Sequence, residues 1–131
     1  ALVLWYPALR APSSVRARFG VRAAVPGTYA VRVDGRDVVL GRRYALDAWD
    51  LDVDAALRRL RAPVLLLHGD RDAEAPIEAS EAAARILPDA RLERVAGAAH
   101  GFGDERLTAA LERTARFLSW SGVLEPAGES Q

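Results

Sequence analysis

The sequence has 131 residues, half of them hydrophobic, and its 18 basic side chains are balanced by 18 acidic ones, enough for one ordinary core. Zero net charge with both signs interspersed offers no field for polyanions, so neither nucleic acid nor an anionic membrane is an expected partner. Without cysteine there is no disulfide framework, thiolate nucleophile or cysteine-ligated metal, and the two histidines do not furnish a dedicated transition-metal site, so no cofactor is expected.

Ala1 opens directly into Leu2-Val3-Leu4-Trp5-Tyr6, an apolar run without polar alternation that predicts a strand buried on both faces, ended by Pro7. No charged lead-in precedes it, and the expectation is that the chain starts mid-domain. Nowhere does an apolar run reach the roughly 20 residues of a membrane span, so a soluble, cytoplasmic protein is expected. All the basic residues are arginine and alanine is abundant, which fits the codon bias of a GC-rich bacterial genome.

Residues 8–26 are rich in Arg, Pro and Ser and predict an irregular excursion. Two β-prone runs, 29–33 and 36–40, flank Asp34-Gly35 and predict a hairpin with a type I′ turn. Residues 42–49 and 54–60 predict two short helices, with Asp52 or Asp54 available as a cap and Leu57 and Leu60 on one face. After Pro63 the apolar run 64–68 predicts a second central strand, broken by Gly69. A helix over 77–87 follows, with Ile77, Ala84 and Leu87 on its apolar stripe and Pro88 closing it. A strand over 91–95 and a loop of small residues then deliver His100. Asp104 is placed to cap a helix to about Ser119, its Leu107, Leu111 and Leu118 facing the core, and the tail from Gly122 is frayed.

Strand, insertion, strand, helix, strand, helix describes an α/β fold with a mainly parallel sheet and right-handed crossovers. The expected organisation is a core strand and loop over 1–12, a cap-like insertion over 13–61, a core segment over 62–121 and a tail over 122–131. The insertion is longer than joining neighbouring strands requires, and insertions at strand ends commonly shape binding sites.

Ligands of open α/β sheets gather beyond the carboxyl ends of the strands. Two polar clusters stand there: His68-Gly69-Asp70-Arg71-Asp72 after one strand and His100-Gly101-Phe102 after the next. An imidazole acting as a base needs a carboxylate on one ring nitrogen, leaving the other to take a proton. A strand-helix-strand unit brings Asp72 and His100 to the same sheet edge as candidates for that pair.

The stretch APVLLLHGDRDAEAPIEASEAAARILPDARLERVAGAAHGF resembles the closing part of serine-dependent α/β-hydrolases, in which a strand ends in H-G-x-x-D, a helix follows and the next strand leads to an H-G-F-like turn. The resemblance implies that Asp72 is the triad acid and His100 the triad base, with Asp70 and His68 structural. It also implies that residues 2–7 form the strand after the nucleophile elbow and its helix. The segment GTYAVRVDGRDVVLGRRYALDAWDLDV is similar to the cap of cinnamoyl or feruloyl esterase-like members.

One departure stands out: no G-x-S-x-G elbow surrounds any of Ser13, Ser14, Ser80, Ser119, Ser121 and Ser130. Chain order in the family runs serine, acid, base, so the elbow and its oxyanion-hole N–H are expected upstream of Ala1. The expectation is the C-terminal part of a hydrolase of small-molecule carboxylic esters, inert as an isolated piece, with no metal and with its oligomeric state open. A serine aminopeptidase-type peptidase is the rival on the same fold, and a non-catalytic α/β binding module or truncated product the rival of another class. Trp5, Tyr6 and Phe102 are candidates to line an acyl pocket as well as to pack. Packing is the expectation for Tyr44 and Trp49, and a solvated helix face for Arg58, Arg59 and Arg61.

Overall fold

The two apolar runs 2–6 and 64–68 pair with each other, but only the second is buried throughout; Leu2 to Trp5, expected to be buried on both faces, are half-buried because that strand pairs on one side alone. In chain order the computed structural model contains β1 (Leu2–Trp5), α1 (Ala11–Phe19), β2 (Thr28–Val33), β3 (Arg36–Gly41), α2 (Arg42–Asp50), α3 (Val53–Arg59), β4 (Val64–Gly69), α4 (Glu78–Ile86), β5 (Ala90–Val95) and α5 (Asp104–Trp120). Residues 1–33 and 35–124 are described. They fall into two compact units, one of residues 1–9 and those from 54 onward, the other of residues 10–53.

In the first unit the sheet order is β1-β4-β5 and both pairings are parallel, with Leu2 opposite Val64 and Val64 opposite Ala90. The central strand β4 is buried at every residue, as its unbroken apolar text requires. Alternation along it divides its side chains between two layers. Leu65 and Leu67 join Val95, Ala98, Phe102, Ala110 and Phe117 in one core, under α5, while His68 faces α4 through Ser80. Since the strands are parallel and joined by α4, β4 and β5 end on one edge, Gly69 opposite Val95.

The second unit pairs β2 with β3 as an antiparallel hairpin, from Thr28 opposite Gly41 to Val33 opposite Arg36. Gly35 in the turn has a φ of +71°, a conformation that suits glycine; Asp34, expected to share the turn, lies outside the described residues. Val15 of α1, Val25, and Ala45 and Ala48 of α2 form a small core, flanked by Phe19, Tyr29, Leu46 and Trp49.

Four expectations need correction. Residues 8–26 are not irregular: α1 fills 11–19 and a 3-10 turn fills 22–24. Pro12 sits in the first turn of α1, where its missing N–H would be unpaired anyway, and Gly20 closes the helix with a φ of +69°. The core face of α5 is Ala110 and Phe117, with Leu118 beside them, whereas Leu107 and Leu111 are exposed, so the buried stripe runs one position away from the leucines. Gly103, not Asp104, is its N-cap residue. Of the stripe expected through Ile77, Ala84 and Leu87 only Leu87 is buried; α4 buries Ala79, Ser80 and Ala83 instead, the hydroxyl of Ser80 meeting a polar partner. Residues 125–131 of the expected tail lie outside the described residues. Among the described residues no helix is long and apolar enough to cross a membrane.

Candidate active site

Beyond β4 and β5 two loops are stitched together by backbone. The N–H of Asp70 donates to the Val95 carbonyl at 3.3 Å and that of Arg71 to the Ala98 carbonyl at 3.0 Å. Asp70 closes the seam from its side chain, its Oδ1 accepting the N–H of Gly97 at 2.7 Å. The loop carrying residue 100 is therefore fixed against the loop carrying residue 72.

The chain turns sharply after Asp72, and the carboxylate holds that turn: its Oδ1 accepts the N–H groups of Ala75 at 2.8 Å and Glu74 at 3.0 Å. Its Oδ2 lies 2.8 Å from Nδ1 of His100. A carboxylate only accepts, so Nδ1 carries the proton and donates, and the neutral ring presents Nε2 as an unprotonated base. No partner occupies Nε2 among the described residues. The side chain of Asp72 is fully inaccessible while that of His100 is 31% exposed, so the pair has a dry end and a wet end. Burial by itself would push the Asp72 carboxyl up; the N–H of Ala75, the hydrogen bond and charge of His100 and the N–H of Glu74 outweigh it and hold the carboxyl below the usual range.

A fully buried carboxylate thus lies against a partly exposed imidazole at the carboxyl ends of parallel strands. The model of the TAP-like protein family matches residues 45–128, more than half of the chain. The chain belongs to the α/β-hydrolase superfamily. A pimeloyl-[acyl-carrier protein] methyl ester esterase of Aromatoleum aromaticum is 46% identical over 65 residues, 50% of this chain and 26% of that protein. Est1E of Butyrivibrio proteoclasticus, solved with and without ferulic acid, superposes with a TM-score of 0.79 at 25% identity, over 93% of this chain and 49% of the ferulic acid-bound chain. The esterase RhEst1 of Rhodococcus sp. ECU1013 superposes with a TM-score of 0.51 at 27% identity, over 60% of this chain and 30% of its own. The chain thus spans about half or less of the length of each of these hydrolases.

The other candidate residues separate into two kinds. Phe102 is buried in the core and Trp5 is tied down, its Nε1–H donating to Oγ1 of Thr114 at 3.0 Å while its ring meets Phe102 at 5.5 Å. Both pack. Tyr6 lies against the imidazole of His100, ring centroids 4.6 Å apart, and has a φ of +36°, a costly value for a non-glycine residue. The N–H of Tyr6 donates to the Leu67 carbonyl at 2.8 Å, which holds it there. Phe102 is likewise left-handed, between two left-handed glycines, a tight reversal that turns the chain inward straight after His100. Among the described residues no serine hydroxyl is hydrogen-bonded to His100; that of Ser80 is spent on His68.

His68, expected to be structural, is wholly buried, with Nε2 2.6 Å from the Ala75 carbonyl and 3.3 Å from Oδ2 of Asp72. The missed partner is Ser80, and the period of two along β4, which puts residue 68 on the face away from Leu67, was the signal for it.

The lowered carboxyl of Asp72 fixes the sign of one pH effect. Because its folded-state value lies below its unfolded one, its contribution to stability is complete above the ordinary carboxylate range, about 4, and is lost as pH falls through the lowered value. Urea unfolding of wild type and Asp72→Asn should therefore show a stability difference that is constant at pH 6 to 7 and narrows below about pH 4. A difference that widens on acidification would contradict this assignment.

Proposed function

We propose that the chain carries the acid and base of a serine hydrolase of carboxylic esters, with His100 as general base and acid and Asp72 as the residue that orients it. The observation that carries the reading is the 2.8 Å bond from His100 Nδ1 to a fully buried carboxylate, with Nε2 left open. In this mechanism a serine supplied elsewhere in the intact protein gives its proton to Nε2 as Oγ attacks the ester carbonyl. The imidazolium so formed is stabilised by Asp72, and its proton passes to the departing alkoxide. Water then repeats the sequence on the acyl-enzyme, with His100 again taking and returning one proton.

Esters rather than amides are supported by the company the chain keeps: a methyl ester esterase among its relatives and a fold match solved with ferulic acid. A small or aromatic acyl group is the substrate class. Residues 10–53, inserted after the carboxyl end of β1, are the cap-like segment of this reading. Tyr6, the one sequence-predicted aromatic in contact with His100, is the residue of this chain assigned to the substrate side.

The test is covalent. The intact gene product should hydrolyse p-nitrophenyl acetate and methyl ferulate, and a fluorophosphonate should block it with one equivalent attached. Mass spectrometry should place that adduct on a serine outside these 131 residues. An adduct on Ser14 or Ser80, or turnover untouched by the phosphonate, would sink the reading; faster cleavage of a peptide amide than of either ester would replace it with the peptidase.

A further inference from the structure

The second histidine of the chain is fully buried, and every polar atom of its ring is engaged. Nδ1 lies 2.7 Å from Oγ of Ser80 on α4, and Nε2 lies 2.6 Å from the Ala75 carbonyl and 3.3 Å from Oδ2 of Asp72. A carbonyl and a carboxylate both only accept, so Nε2 carries the proton. In the neutral ring Nδ1 is then an acceptor, and the Ser80 hydroxyl is its donor. Reversing either bond would set acceptor against acceptor in a place where neither side chain is exposed to water.

This arrangement ties together three things. The Ala75 carbonyl belongs to the same turn whose N–H groups hold Asp72 Oδ1, so one ring nitrogen anchors the turn. The same N–H reaches toward Oδ2, the oxygen that receives His100. Ser80 connects the ring to α4, a helix, rather than to another loop. A carboxylate held only by its own turn would follow that turn; one whose turn is pinned to a strand and a helix keeps its second oxygen aimed at His100.

Building on the assignment of Asp72 and His100 above, we propose that His68 is a positioning residue, whose Nε2–H, fixed as a tautomer by Ser80, sets the Asp72 carboxylate for His100. Misplacing a reacting group by about 1 Å costs roughly 10²-fold in rate. His68→Asn, whose amide nitrogen falls at the Nδ1 position and leaves the Ala75 carbonyl without its donor, should lower kcat for ester hydrolysis about 10²-fold with little change in KM. His68→Gln, whose amide nitrogen falls at the Nε2 position, should stay within about tenfold of wild type.

The decisive readout does not depend on turnover. In the intact protein labelled with 15N at histidine, His68 should be the Nε2–H tautomer, and the Nδ1–H proton of His100 should resonate at low field. That low-field signal should survive His68→Gln and be lost in His68→Asn. The proposal is overturned if His68→Asn retains both the signal and the rate, or if the Gln and Asn variants lose them equally. It is also overturned if wild-type His68 carries its proton on Nδ1, an outcome that decides the matter even where His68→Asn does not fold. A wild-type protein inactive on every ester that nonetheless shows the tautomer and the variant pattern supports the positioning role while ending the functional reading it was built on.

Discussion

Removing the imidazole at position 100 should lower kcat/KM for ester hydrolysis by the intact protein on the order of 10⁶-fold, and Asp72→Asn on the order of 10⁴-fold, because triad members act as a unit. The geometry explains why the second change is severe although it alters a single atom. Oδ1 of Asp72 faces the N–H groups of Ala75 and Glu74, so an asparagine there must keep its oxygen toward them and turn its NH₂ toward His100. Nδ1 of His100 is then forced to accept, the ring proton moves to Nε2, and the base becomes a donor pointing at the nucleophile it should deprotonate. Steady-state kinetics on p-nitrophenyl acetate measure both variants. His100→Ala also leaves Oδ2 of the fully buried Asp72 without its 2.8 Å partner, so it should cost about 1–3 kcal/mol of stability while the protein stays folded. A His100→Ala protein keeping a tenth of its activity would remove the histidine from the chemistry.

Much of this site is legible in the text because local and global preferences agree there. Val64 to Leu67 have no polar residue to expose and so announce a central strand, and the polar residues that follow must emerge at its end. One strand-helix-strand unit then delivers residues 72 and 100 to the same edge. What was missed depended on partners remote in sequence. Pro12 and the arginines of 8–26 look like loop text, yet a proline in the first turn costs nothing, and buried Pro12 and Val15, with Phe19 beside the small core, seat α1. Leucine periodicity in α5 pointed to Leu107 and Leu111, while the smaller Ala110 and the aromatic Phe117 fill the space against Leu65 and Leu67. Ser80 stands outside the stripe expected through Ile77, Ala84 and Leu87; only the buried imidazole opposite makes it a core residue.

Among the described glycines the tightest surroundings are those of Gly69, and they yield the second large effect. A Cβ added there would run into the backbone carbonyl of Ala98, its carbon 2.7 Å away and the Ala98 Cβ at 3.0 Å. That carbonyl is not free to retreat, because it accepts the N–H of Arg71 and belongs to the loop whose Gly97 N–H is held by Asp70. Gly69→Ala must therefore push the 96–99 loop away from β4 or break the seam, and overpacking of a rigid backbone site costs about 3 kcal/mol. The displaced loop carries His100, while Asp72 stays with its turn, so the pair opens by moving one member. Loss of kcat/KM by roughly 10²-fold should accompany the loss of stability. Gly27→Ala, where the added methyl meets nothing within 4 Å, is the control and should leave both unchanged. Denaturant unfolding and ester kinetics on the two variants separate the causes. If Gly69→Ala proves as stable and active as Gly27→Ala, the tight seam between the two loops is not what holds the imidazole to its carboxylate.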